Sequence, residues 1–151
     1  MTQIKIKNHL VGHGCPPFIV AEAGINHNGN VDTAFKMIKL AKKSGVDAIK
    51  FQTFKAKEVV ADSKQMFTYK SQDKEITEPM LEMLKRCELS RDAWIDIKNK
   101  CDEEKIMFLS TPQNNSDLDL LLELDIPAIK VGSDDFTNLP LLKSYSSTKL
   151  P

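Results

Sequence analysis

Short, continuous apolar runs alternate along this chain with segments whose apolar positions recur at helical spacing. Residues 17–24 (Pro-Phe-Ile-Val-Ala-Glu-Ala-Gly) form the first run, as expected for a strand buried on both faces. Asn30 then stands where a helix cap belongs, and Val31, Ala34, Phe35, Ile38 and Ala41 define one apolar face up to Ser44, with Gly45 at the helix exit. The second strand spans 46–53. A polar stretch over 55–77 follows, long enough to be a functional lid or a disordered loop. Pro79 opens a short helix through Cys87. Ser90 caps a longer one with Trp94, Ile97 and Cys101 on one face. The third strand is 106–111, followed by a helix over 117–124 opened by Ser116 with Asp119 in the capping-box position. The fourth strand is 127–133, and a last helix covers 139–145. A fifth strand is expected to begin near 148–151. Before Pro16 the pattern allows a small hairpin with Gly12 and Gly14 as turn residues.

Four βα units with parallel strands fit two architectures: an open doubly wound sheet, or half of an eight-unit barrel, which typically needs about 250 residues. No linker or low-complexity segment divides the 151 residues, so one domain is expected.

The polar residues inside the strands gather at their C-terminal ends, the edge where parallel α/β folds bind ligands. Glu22 lies near the end of strand one, before Gly-Ile-Asn-His-Asn-Gly; Lys50 and Gln52 share a face of strand two. Ser110 and Thr111 end strand three; Lys130 and Ser133 end strand four, with Asp134 and Asp135 just beyond. Asp-Ala-Ile-Lys-Phe-Gln at 47–52 echoes Pro-Ala-Ile-Lys-Val-Gly at 127–132. In a barrel, strands two and four feed one interior layer, so Lys50 and Lys130 would converge. Two buried lysines repel unless an anion lies between them, which suits a small, highly charged ligand. Two alternatives stay open: each lysine pairs with a carboxylate such as Glu22 or Asp135, or one is a Schiff-base nucleophile. Glu22 itself suits proton transfer, a sugar hydroxyl, or the counter-ion of Lys50. His27, alone beside Asn and Gly, reads as a loop-ordering hydrogen-bond partner rather than a metal ligand; His9 and His13 belong to the hairpin.

Composition narrows the classes. Twenty-one basic residues balance 21 acidic ones, against a nucleic-acid or membrane-surface partner. No apolar run approaches the roughly 20 residues of a membrane helix, and 1–10 lacks a signal core, so a cytoplasmic location is expected. Cys15, Cys87 and Cys101 show no CxxC spacing and read as reduced thiols.

Four strings, in this order, resemble the sialic-acid synthase family, which makes N-acetylneuraminate, legionaminate and pseudaminate: Phe-Ile-Val-Ala-Glu-Ala-Gly-Ile-Asn-His-Asn-Gly (18–29), Ala-Ile-Lys-Phe-Gln-Thr (48–53), Phe-Leu-Ser-Thr-Pro (108–112) and Pro-Ala-Ile-Lys-Val-Gly-Ser (127–133). Asn-Leu-Pro-Leu at 138–141 also matches. The resemblance implies a (β/α)8 (TIM) barrel followed by an antifreeze-like domain, of which this chain carries the first four βα units behind a short hairpin. It implies condensation of phosphoenolpyruvate with an N-acetylated amino sugar (N-acetylmannosamine or a diacetamido analogue), releasing phosphate. By the same resemblance Lys50, Thr111, Lys130 and Ser133 hold phosphoenolpyruvate, Gln52 and Asp135 contact the sugar, and Glu22 sits at the reacting centre. The family uses manganese or magnesium and works as a homodimer. Its metal-binding histidines lie on later strands, so no metal ligand is expected in this chain. Asp135 stands where some members have Glu, one methylene shorter, a weak pointer to a diacetamido sugar. Another phosphoenolpyruvate-using sugar-acid synthase would need further basic residues for a second phosphate, and none stands at a strand end; Arg86 and Arg91 lie near helix ends. An inactive fragment that binds phosphoenolpyruvate or self-associates is the remaining alternative. The 151-residue chain alone is therefore expected to show no turnover of phosphoenolpyruvate with an amino sugar. Robust turnover by its monomer, read as phosphate release, would contradict this.

Overall fold

The computed structural model describes residues 3–151; the first two residues of the N-terminal stretch lie outside the described residues. Strands β1 (Ile4–Ile6) and β2 (His9–Val11) form the expected antiparallel hairpin. Its turn is at Lys7 and Asn8, with Lys7 left-handed (φ 48°), so Gly12 and Gly14 follow the hairpin instead of closing it. Next come β3 (Val20–Gly24), α1 (Val31–Lys43) and β4 (Ala48–Thr53). Asn30 caps α1 by accepting the Thr33 N–H at 2.8 Å.

The 55–77 stretch, expected to be a functional lid or a disordered loop, is an ordered excursion. It holds α2 (Ala56–Val59), β5 (Met66–Ser71) and β6 (Lys74–Pro79), and leads into α3 (Met80–Cys87). β5 and β6 pair antiparallel around Gln72 and Asp73, both at positive φ (50° and 63°), the backbone of a tight primed turn made without glycine. Most of its side chains are exposed, so the apolar alternation that marks a half-buried strand is absent. Cross-strand pairs hold it instead, such as the Thr68–Thr77 hydroxyl contact at 2.8 Å.

The chain continues through α4 (Arg91–Glu103), β7 (Met107–Pro112), α5 (Asn115–Glu123) and α6 (Leu139–Ser147). Strands β3, β4 and β7 form a parallel sheet in the order β3-β4-β7. On one face Ala23, Ile49, Phe51 and Phe108 pack against Ala34 and Ile38 of α1 and Trp94, Ile97 and Cys101 of α4. Each large side chain buried there contributes roughly 1.5–3 kcal/mol. Burial pushes the Cys101 thiol up to about 12, so it stays protonated. The other face is apolar at its N-terminal end, where Ala48 and Leu109 meet Ala128, Ile6 and Phe18.

Two expected elements are corrected. The fourth strand does not form: 127–133 lies beside the sheet but joins no ladder. Pro127 has no N–H to contribute, and the Ile129 N–H donates to the Pro151 carbonyl, on the chain's last segment, at 2.9 Å. The α5 cap is Asn114, not Ser116. The Asn114 side chain accepts the Asp117 N–H at 3.0 Å. The cap thus lies two residues earlier than read, because Asn caps as well as Ser and sits nearer the strand.

Burial lifts the Asp117 carboxyl from 3.8 to about 7, against the opposing influence of the nearby Gln113 and Asn114 backbone. With the folded value above the unfolded one, its contribution is complete below about 3.8 and lost as pH rises toward 7. Urea melts should therefore show stability falling by up to about 1.4 kcal/mol per pH unit across that window. The slope should flatten in Asp117→Asn.

Candidate active site

The polar face of the sheet begins where its apolar half ends. Lys50 in the central strand is buried, flanked in register by Glu22 on β3 and Leu109 on β7. A lysine there needs an anion, and its Nζ meets Glu22 Oε2 in an ion pair; the Glu22 side chain stays 55% exposed. The register shifts between Glu22 and Gly24, so β3 turns away one residue beyond the pair.

The following loop is a chain of tight turns, closed by Asn26 N–H to Ala23 O (3.1 Å), Asn28 N–H to Ile25 O (2.9 Å) and Asn30 N–H to His27 O (2.9 Å). His27 is fully buried among these turns. Its Nδ1 accepts the Gly29 N–H at 3.1 Å, and its ring stands edge-on to Trp94 at 6.1 Å. His27 therefore ties the loop to the helical core, the loop-ordering role read from sequence. Gly29 has φ 72°, and a Cβ there would lie 2.1 Å from the Arg86 carbonyl, so the loop rests on the end of α3 only because this residue is glycine.

One turn of strand beyond Lys50, Gln52 and Thr111 stand side by side in register. Both line a cleft of about 260 Å³ together with Gln113, Lys130, Gly132, Ser133 and Asp134. Phe54, Val59, Met80 and Leu84 form its opposite, apolar wall. Thr111 Oγ1 is buried without a hydrogen-bond partner among the described residues. The site residues read from sequence thus fall into two groups. Gln52, Thr111, Lys130 and Ser133 share the cleft, while Glu22 and Lys50 pair with each other beside it. Lys130 is exposed rather than buried, so the expected burial of both lysines in one layer holds for Lys50 alone. Asp135 is absent from the lining; its Oδ1 accepts from Asn138 Nδ2 at 3.4 Å, and Asp134 takes the cleft position.

Asp134 was read beside Asp135 at the end of strand four, but Gln113 and the apolar wall were not singled out from sequence. The wall comes from the segment between β4 and α4, where the helix over Met80–Cys87 was read but not the side of it that faces the cleft. A wider cleft of about 750 Å³ lies around Lys55, Lys57, Lys85 and Glu88, but two of its lysines are already paired, Lys55 with Glu88 at 3.3 Å and Lys85 with Glu82 at 2.7 Å. Among the described residues no group of three or more His, Cys, Asp or Glu is placed to hold a metal ion. The three cysteines are free, and no described helix is long and apolar enough to cross a membrane.

This arrangement can be set beside known proteins. The model of the NeuB family matches residues 37–151. The chain belongs to the NeuB family. Among curated relatives of this NeuB chain, the N,N'-diacetyllegionaminic acid synthase of Legionella pneumophila is 37% identical over 134 residues, covering 89% of this chain and 38% of that protein. The enzyme of the same name from Campylobacter jejuni is 39% identical over 128 residues, covering 85% and 38%. The N-acetylneuraminate-9-phosphate synthase of Drosophila melanogaster is 34% identical over 140 residues, covering 89% and 36%. Among solved structures, the N-acetylneuraminic acid synthetase of Leptospira borgpetersenii, in complex with citrate, superposes with a TM-score of 0.86 at 28% identity, over 99% of this chain and 47% of that one. The NeuB chain therefore spans less than half the length of each of these relatives.

Burial holds the His27 imidazole below its ordinary 6.5. A folded value below the unfolded one means its contribution is complete above about 6.5 and lost as pH falls below it. His27→Asn keeps an acceptor near the Nδ1 position but cannot titrate. Thermal melts from pH 7 to 5 should therefore show a smaller acid-side loss for the variant than for the wild type.

Proposed function

We propose that this chain supplies the phosphoenolpyruvate-binding half of a (β/α)8-barrel transferase. The enzyme would condense phosphoenolpyruvate with an N-acetylated amino sugar to give a nine-carbon sialic-type acid and phosphate. The observation that carries the reading is the cleft at the C-terminal edge of the sheet, where Lys130, Ser133, Thr111 and Gln52 converge. A lysine, two hydroxyls and an amide form a donor set for a compact phosphorylated carboxylate, and Lys50 stands one pleat below on the same face.

In this reading Lys50, Lys130, Thr111 and Ser133 hold phosphoenolpyruvate, Gln52 and Asp135 meet the sugar with Asp134 beside them, and Glu22 serves the reacting carbonyl. The site must neutralise a trianion, orient C3 toward an aldehyde and move protons. The apolar wall of Phe54, Val59, Met80 and Leu84 favours a sugar carrying acetyl methyls. It offers no cation for a second phosphate, so N-acetylmannosamine or a diacetamido analogue fits better than a sugar phosphate. A manganese or magnesium ion would supply Lewis acidity to the aldehyde, but the described residues do not fit one, and no step here depends on it. Homodimer formation and a cytoplasmic location belong to the same proposal for the longer enzyme. The Schiff-base alternative is disfavoured because the Lys50 amine is engaged in an ion pair with Glu22.

Calorimetric titration of the chain with phosphoenolpyruvate tests the reading. Lys130→Ala should weaken binding about tenfold or more, as expected for loss of a charge-assisted contact. Lys57→Ala, in the wider cleft, should leave it unchanged. Equal loss in both variants, or borohydride trapping of pyruvate on the wild type, would overturn it.

A further inference from the structure

We infer that phosphoenolpyruvate, on binding, takes Lys50 away from Glu22, and that Glu22 answers by taking up a proton, changing from a counter-ion into the proton donor for the sugar carbonyl. This rests on the phosphoenolpyruvate site proposed above and adds how that site arms its own acid.

The geometry is specific. Lys50 is buried, and among the described residues the anion that meets its amine is Glu22. Across the sheet on the other side its neighbour is Leu109, which offers no charge. On β3 the same face carries Val20 and Gly24, neither of which offers a charge, so Glu22 is answered by one cation. No other described charge forms an ion pair with either residue. Lys50 therefore cannot be fully claimed by a trianion without loosening its hold on Glu22. A carboxylate deprived of its cation and left facing an anion binds a proton more tightly. Glu22 is also free to respond, because its side chain is half-exposed while Lys50 is fixed in the strand.

The exchange gives the reaction its order. Without phosphoenolpyruvate, Glu22 is engaged as the ion-pair partner of Lys50. With phosphoenolpyruvate seated, the protonated carboxyl lies at the C-terminal edge where the aldehyde arrives. The enol π electrons of phosphoenolpyruvate form the bond from C3 to the aldehyde carbon, the carbonyl π bond breaks, and the aldehyde oxygen takes the Glu22 proton. Water adds to the cationic C2 and returns one of its protons to Glu22. The C2–O bond to phosphate then breaks, the remaining hydroxyl proton leaves with the phosphate, and a keto group forms. The pair thus enforces binding of phosphoenolpyruvate before proton transfer to the sugar.

Titration calorimetry of the 151-residue chain with phosphoenolpyruvate at pH 6.5, in two buffers of different ionisation enthalpy, reads protons taken up per ligand bound. The wild type should take up more than Glu22→Gln, by up to one proton; the difference removes any titration of the phosphate itself. Glu22→Gln should bind phosphoenolpyruvate at least as tightly, since Lys50 is already released. Binding with the same proton count in both overturns this inference and leaves the proposed site standing. No binding by the wild type overturns the proposed site, and this inference with it. Should Glu22→Gln fail to fold, the Glu22 side-chain carboxyl 13C resonance of the wild type gives a second reading. It should move toward the protonated position when phosphoenolpyruvate is added, and a fixed resonance overturns the exchange.

Discussion

A lysine amine in the middle of an apolar strand is the constraint around which this chain is arranged. Lys50 sits in the central strand of the sheet, between β3 and β7, with its side chain largely buried. Its stem is packed, so its charge must be answered where it stands. Glu22 does so from the register-matched position on β3, and β3 can end just beyond because its register slips between Glu22 and Gly24. The turns around His27 then carry the chain over Trp94 and down into α1. A single electrostatic demand thereby fixes where the first strand stops, how the next loop is packed, and which residues are left facing the open edge.

Much of this was legible in the residues. The buried strands declared themselves as apolar runs, and α1 and α4 by spacing and by Asn30 and Ser90 at their starts. Lysine, glutamate, glutamine and hydroxyls interrupting those runs marked the edge where the cleft and the Lys50–Glu22 pair lie. Three features were not legible. The β5–β6 hairpin packs little on either face, so no alternation reveals it, and its turn uses Gln72 and Asp73 at positive φ instead of glycine. The 127–133 segment has the composition of a strand, but its hydrogen-bonding partner is the segment ending at Pro151, and no ladder to β7 forms. Asp134 and Asp135 are adjacent acids, and only the three-dimensional path of the turn decides that the first lines the cleft while the second leans toward Asn138.

The cleft itself has two origins. Its polar wall comes from the ends of strands and the turns beyond them: Gln52, Thr111, Gln113, Lys130, Ser133 and Asp134. These residues are held by the sheet and by the Asn114 cap at the start of α5, with α6 behind, where the Tyr145 hydroxyl donates to the Pro112 carbonyl at 2.8 Å. Its apolar wall comes from Phe54, α2 and α3, that is, from the excursion between β4 and α4. The polar donors and the apolar wall therefore stand on different parts of the chain.

That division has a consequence for how such a site diversifies. The β5–β6 hairpin runs directly into Met80 of the apolar wall, whose N–H donates to the Gln65 carbonyl at 2.9 Å and closes the hairpin's base. On its far side the hairpin is moored by Tyr69 and Arg86, which both donate to Glu78. Insertions or substitutions at the exposed tip cost the sheet nothing, yet they act through that base on the wall that would face the sugar. The hairpin is a tuning arm. Changes in it can reshape the cup while the lysines, the hydroxyls and the register of the three parallel strands stay as they are.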